Sequence, residues 1–362
     1  MGTFKLAQYS HDKGCRDLTM ANAMGESIQL LLCREPSFLE AENIGNDWSQ
    51  VIVYVDADER VIGMSSRSGR KVYSFGEVSE VGYLSQLRSY EGARNPRVLF
   101  RGYQFLKKLH DLDTEHPVPY YLTTIFSENT YARNLFSKKV RGMPRYSPIT
   151  ELSTFAIGAP RFLHLGIPKA DVHWSDNLDD LYKTFKRGNV WSSAFSLGSF
   201  YGPSDYEWLK LCDWRVVSVN GPNVEASALV VDMTRLRQVV IAKYSGMYQL
   251  LPMLSKPLQC LGFSKIPGVN ENLDMTYVLS MSLGGDEELS LRTLVSSIRK
   301  HEVFKNGLVV LGFDSRNPLQ KSLSKASLFN TKSILYSVSW DADLADQIAA
   351  RSSLVHLDSG TL

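Results

Sequence analysis

Cysteine is scarce in this chain. Its four copies, Cys15, Cys33, Cys212 and Cys260, are spread over 362 residues. No two form a C-x-x-C pair, so zinc-ribbon and thioredoxin-type readings are excluded. Histidine is thin too, and the nearest pair, His110 and His116, lacks the i, i+4 spacing of a helical metal site. No run of about 18 apolar residues exists, so no segment is expected to span a membrane. The opening residues lack a signal-peptide apolar core, and Gly2 lacks the downstream Ser or Thr of a myristoylation motif. Neither sign of charge dominates: 40 basic residues meet 38 acidic ones, for a net charge of +2. A nucleic-acid binder would show a basic excess, so no nucleic acid is expected as a partner, and without a spanning run no membrane is expected either. There is no G-x-S-x-G nucleophile elbow and no G-x-x-x-x-G-K-[ST] phosphate loop. Unpaired thiols without a leader point to a reducing cytoplasm.

What is present reads as a globular protein. A hydrophobic fraction of 44% with 22% balanced charge is ample for a packed core. The length suits two domains of roughly 150–200 residues. In the first half, residues 4–9 read as a strand, 13–33 and 36–44 as helices, and Val51-Ile52-Val53-Tyr54-Val55 with Val61-Ile62-Gly63-Met64 as a hairpin. Residues 80–88 read as a half-buried strand, with Val81, Tyr83 and Leu87 on one face.

The stretch after that strand carries the most information. Ser89-Tyr90-Glu91-Gly92-Ala93-Arg94 is a loop, and Asn95-Pro96 is a good cap and first residue for a helix running to about His110. Leu99, Leu106 and Leu109 give that helix an apolar face. A strand over 120–126 follows, then a helix from about Asn129, a turn at Gly142-Met143-Pro144 and a strand over 149–157.

This order, with Ser127-Glu128-Asn129 and Ala132-Arg133 after the second strand, resembles the GCN5-related N-acetyltransferases (GNAT). Arg94 falls on the first position of that family's loop Arg-x-x-Gly-x-Gly/Ala, while Arg97 and Leu99 replace the two small residues. Asn129, Ala132 and Leu135 match the motif Asn-x-x-Ala-x-x-Leu-Tyr, with Phe136 at the tyrosine position. The resemblance implies an α/β (α+β) fold, a mixed and mostly antiparallel sheet flanked by helices. It also implies an acyl-CoA co-substrate, acetyl-CoA or another, with no metal. Leu87 and Ser89 on the strand, Arg94, Arg97, Val98 and Leu99 at the helix start, and Asn129 are the residues it assigns to CoA. A helix start attracts pyrophosphate, and Arg94, Arg97 and Arg101 reinforce the pull. Against it, Pro96 removes one N–H and two bulky side chains crowd the loop.

The implied reaction is direct attack of a small-molecule or peptide amine on the thioester, with backbone N–H groups polarising its carbonyl. Glu80 stands where a general base often lies in the family, with Glu77 a weaker candidate; the plainer reading of Glu80 is a surface strand-start carboxylate. Phe136 cannot protonate the leaving thiolate, and Tyr146, then Tyr131, are the expected substitutes. Asn129 either contacts the pantetheine arm or caps its helix.

The second half repeats the theme. Strands are expected over 215–222, 226–232, 239–244, 275–283, 308–313 and 333–340, with helices opened by Gly284-Gly285 and by Asn317-Pro318-Leu319. This implies a second, diverged GNAT unit, with domains 1–160 and 161–362 meeting near Gly158-Ala159-Pro160 or in the polar stretch through Asp180. Asp286-Glu287-Glu288 at its helix start would repel a pyrophosphate, so this unit is expected to wall the substrate cleft or support the first. The rival reading is a non-catalytic acyl-CoA-binding or interaction protein on a degenerate scaffold.

Overall fold

The structure is a computed structural model and describes residues 2–25, 27–138, 140–158, 167–304 and 307–362. The first half runs β1 (Thr3–Leu6), α1 (Asp12–Met20), β2 (Ile28–Cys33), α2 (Phe38–Glu42), β3 (Trp48–Val55), β4 (Val61–Ser74) and β5 (Glu77–Ser89). It continues through α3 (Pro96–Leu112), β6 (Tyr121–Phe126), α4 (Thr130–Phe136) and β7 (Arg145–Ile157). The second half begins with β8 (Asp171–Ser175), α5 (Leu178–Ser192), β9 (Leu197–Ser199), α6 (Tyr206–Leu209), β10 (Asp213–Gly221), β11 (Val224–Asp232) and β12 (Gln238–Tyr244). After these come α7 (Leu251–Cys260), β13 (Met275–Gly285), α8 (Glu287–Lys300), β14 (Leu308–Asp314), α9 (Gln320–Ser324), β15 (Ser327–Ser339), α10 (Ala342–Arg351) and β16 (Val355–His356).

One large sheet runs through both halves in the order β1-β3-β4-β5-β6-β15-β7-β14-β13-β11-β10-β8. The order mirrors itself about the β15–β7 pair. On one side β6 and β5 follow, on the other β14 and β13. Each half therefore contributes its last long strand to the other: β15 lies between β6 and β7, and β7 between β15 and β14. Alternation builds the layers. Val51, Val53 and Val55 of β3 face Cys15, Leu18 and Phe38 on the α1 side, while Ile52 turns to Tyr103 and Leu106 of α3. The central strand β14, Leu-Val-Val-Leu-Gly-Phe-Asp, is buried along its whole length, as a continuous apolar run requires.

Several expectations need correction. Residues 13–33 are not one helix: α1 ends at Met20, Gly25 turns with φ of 96°, and residues 28–33 are a strand paired with β12. Ile-Gln-Leu-Leu-Leu-Cys suits a helix locally, but β12 offers it a sheet edge. The helix expected over 36–44 shortens to α2, because Ser37 rather than Pro36 caps it, accepting from the Glu40 N–H. The helix opened by Gly284-Gly285 is capped by Asp286 and ends at Lys300, and the one at 317–319 begins at Gln320. Helices α5 and α10 join the expected ones, with Asn177 and Asp341 as caps and apolar residues at helical spacing. In the expected boundary, Ala159 and Pro160 lie outside the described residues.

Candidate active site

β5 and β6 pair in parallel at two positions, Gly82 with Tyr121 and Tyr83 with Leu122. Beyond them β5 stays with β4, and β6 stays with β15, so the two strands open into a V. On the β5 arm, Ser85 and Arg88 oppose Ser66 and Met64, which leaves one extra residue on β5. Gln86 takes up that bulge with φ of 56°. The bulge inverts the side-chain phase. Val81 and Tyr83 are buried as expected, but Leu87 is 50% exposed.

The second half repeats this device. β13 and β14 pair at Met275–Tyr277 with Leu308–Val310 and then diverge. One extra residue lies between Leu279 and Ser282, and Ser280 has φ of 46°. The two bulges differ in what meets them. The Asp358 carboxylate accepts the Ser280 N–H at 3.0 Å and the Tyr201 hydroxyl at 2.7 Å. Gly188 of α5 presses on the same spot, where a Cβ would stand 2.4 Å from Ser280 Oγ. At Gln86 no carboxylate meets the bulge N–H among the described residues.

Side chains instead surround the first bulge on the α1–α2 face. Gln86 Nε2 donates to Glu42 Oε1 at 2.9 Å, and its Oε1 accepts from Arg88 Nε at 3.3 Å. Arg34 Nε lies 3.9 Å from Glu42. Burial, with Arg237 nearby, pushes the Arg34 guanidinium down to about 10; burial lowers Arg88 and Arg237 as well. Of these three guanidiniums Arg34 stands nearest the Glu42 carboxylate, which acts on Arg88 and Arg237 through its charge from farther away. None of these four side chains stood out in the sequence. The detectable signal was the break in alternation at Ser85-Gln86.

Helices α3 and α4 start at the two lips of the open end. Asn95 caps α3 through the Arg97 N–H at 2.8 Å, and Pro96 has no N–H, which leaves Val98 as the first-turn donor not taken by the cap. Arg94 and Arg97 are exposed there, Leu99 packs at the margin of the α3 core, and Ser89 ends the β5 arm. Asn129 caps α4, accepting the Ala132 N–H at 3.0 Å. Tyr131, on the same turn, is 70% exposed.

The expected acid–base residues sit elsewhere. Glu80 precedes the β5–β6 pairing, six residues or ~20 Å along the strand from Gln86, and accepts the Trp48 indole N–H at 2.6 Å. Glu77 is exposed at the start of β5. Tyr146 is in register with Val338, which is in register with Tyr121, so it stands level with the closed end of the V. It is buried, hydrogen-bonded to Tyr103 and stacked on Phe136, and burial pushes its hydroxyl well above the usual range. The start of α8 carries Glu287 and Glu288 behind the Asp286 cap.

No family model matches the sequence, and no curated protein matches it. Solved structures do. An N-myristoyltransferase from Saccharomyces cerevisiae with bound myristoyl-CoA superposes with a TM-score of 0.56 at 11% identity, covering 93% of this chain and 79% of that one. A GCN5-related N-acetyltransferase from Anabaena variabilis gives 0.51 at 7% identity, covering 92% and 72%. The chain thus has the GNAT-like fold in two units, an α/β architecture whose large mixed sheet is flanked by helices.

Proposed function

We propose that the first unit takes an acyl-CoA into the V between β5 and β6, and that the chain transfers the acyl group to an amine. The observation that carries this reading is the contrast between the bulges: Asp358 takes the backbone N–H of the one at Ser280, whereas the backbone N–H of the one at Gln86 meets no carboxylate among the described residues. The structural neighbours support it, since one was solved with myristoyl-CoA. Leu87 and Ser89 line the β5 arm, Arg94, Arg97, Val98 and Leu99 hold the phosphate end at α3, and Asn129 forms the opposite lip. The donor is acetyl-CoA or a longer acyl-CoA. The acceptor amine, on a small molecule or a peptide, enters from the α1–α2 face.

In the reaction the amine nitrogen bonds to the thioester carbonyl carbon, the C–S bond breaks, and the thiolate takes up a proton. A thiol pKa near 8.5 lets the thiolate leave without a dedicated acid. Glu42 is the carboxylate that the fold brings to the bulge, and we assign it the amine proton in preference to Glu80. The free thiols suit a reducing compartment, which we take to be the cytoplasm.

A second reading, acyl-CoA binding without transfer, is favoured by one feature: Asn95 and Pro96 use up most of the α3 first-turn donors. Calorimetry with acetyl-CoA and with longer acyl-CoAs, followed by an amine panel, decides between them. Binding with transfer supports the first reading, binding without transfer the second, and absence of binding overturns both.

A further inference from the structure

Between Asp232 and Glu271 the sequence contains five basic residues and no acidic one. The other 35 basic residues share the chain with all 38 acidic ones, so the segment is a local concentration of one sign. Arg237 turns inward to the carbonyls of Ala41, Ile44 and Gly360, and Lys265 pairs with Glu271. Arg235, Lys243 and Lys256 remain exposed, with no carboxylate partner among the described residues.

The same segment presents apolar side chains to solvent. A short helical turn, Gly246–Leu250, leads into α7. Leu251 and Leu258 pack inward on Ile241, Tyr244 and Ile266, and Ser255 is buried with its Oγ accepting the Ile266 N–H. The outer side is equally apolar: Met247 is 87% exposed and Met253 76%, with Tyr248, Leu250, Leu254 and Leu261 beside them. Surfaces of soluble monomers rarely keep so continuous an apolar patch without an occupant.

We infer that this ridge docks on an anionic lipid bilayer, with Met247, Leu250, Met253 and Leu254 entering the interface and Lys243 and Lys256 meeting the headgroups. The unbranched, flexible Met247 and Met253 suit a fluid partner, and long lysine stems let the charge stay at the headgroup level. A bilayer with anionic lipids complements the single sign of charge. A second copy of the chain fits less well, because a two-fold contact would bring two segments of the same positive charge together. The expectation of no membrane partner rested on the lack of a spanning run, which an interfacial helix does not need. The inference is independent of the acyltransferase reading.

Cys260 supplies the probe. It is the exposed cysteine of α7, while Cys15, Cys33 and Cys212 are buried, so an environment-sensitive fluorophore can be attached there selectively. The full chain is titrated with phosphatidylcholine vesicles with and without about 30% phosphatidylserine. The expected result is co-sedimentation and a blue shift with the anionic vesicles. Both should fall roughly ten-fold or more in the Leu250→Glu/Met253→Glu variant, whose circular dichroism stays unchanged because both sites are exposed. Lys243→Glu/Lys256→Glu should remove the preference for anionic vesicles. Failure to sediment and to shift, or undiminished binding by the Leu250→Glu/Met253→Glu variant, overturns the inference. So does a vesicle-free dimer seen by light scattering that the same variant abolishes, which would assign the ridge to a second copy.

Discussion

Gln86 carries more of the site's geometry than any residue the family motifs single out. Its bulge inverts the side-chain phase of β5, and its amide ties the strand to Glu42. This sets Glu42 against Glu80 as the proton acceptor. If Glu42 takes the amine proton, Glu42→Gln should lower kcat at least ~100-fold, the usual size of a general-base contribution. Glu80→Gln, which alters a hydrogen bond to Trp48, should leave kcat within a few-fold; the reverse ranking in steady-state assays would return the role to Glu80. Tyr146 makes a complementary case. Its hydroxyl lies among Tyr103, Phe136 and Tyr336, at the closed end of the V. Tyr146→Phe should cost ~1–3 kcal/mol in urea unfolding, since the Tyr103 hydroxyl loses its buried partner. Turnover of the folded variant should stay near wild type, and a ten-fold loss would restore Tyr146 as the acid.

Among the elements, the end of β14 joins three strands through one carboxylate. Asp314 accepts from the Thr150 hydroxyl of β7 at 2.9 Å, from the Val355 N–H of β16 at 3.0 Å, and from Arg316. Burial by itself would raise its pKa, yet Arg316, Thr150 and Val355 together hold it below the ordinary carboxylate value. A group depressed in the folded state stabilises fully above its unfolded pKa, near 3.9, and that contribution disappears as pH falls through the folded pKa. Stability should therefore fall on acidification below about pH 4, and Asp314→Asn should flatten part of that acid limb. Urea unfolding at stepped pH values measures both curves, and identical slopes would remove Asp314 from the account. At β13 a buried carboxylate serves a different purpose, since Asp358 accepts the Ser280 N–H and so fixes the final segment to the bulge.

At the scale of the whole molecule, the exchange of β7 and β15 makes the two units one folding problem. Neither half can complete its sheet alone, because each lacks the strand that covers β6 or β14. Separately expressed halves cut between 158 and 167 should be insoluble or unfolded, while co-expression should restore the complex; a monomeric half with native-like dispersion in NMR would refute the interdependence. The asymmetry of the two slots gives the proposal a testable stoichiometry. With Asp358 on the Ser280 bulge and Glu287 and Glu288 at the α8 start, calorimetry should find one acyl-CoA per chain, and two would contradict the assignment of the second unit to a supporting role.

Much of the fold was legible because its signals are local. Asn95-Pro96 opens α3, Asn129 caps α4, Asp286 caps α8, and the β-branched runs of β3 and β14 are strands, as their residues dictate within a few positions of themselves. The order of elements and the motif at Arg94 and Asn129 were enough to suggest the architecture. The rest depended on partners far away in the chain. Residues 28–33 become a strand because β12 lies beside them, Leu87 turns outward because a bulge against β4 inserts one residue, and Tyr146 is interior because β15 carries it to the level of Tyr121. Asp358 meets Ser280 and Tyr201 across 78 and 157 residues. Propensity and capping act within a turn or two, so the sequence alone determined those elements whose signals are local. Register, bulge phase and the capture of a backbone N–H by a remote carboxylate are long-range choices, and only the packed tertiary structure decided them.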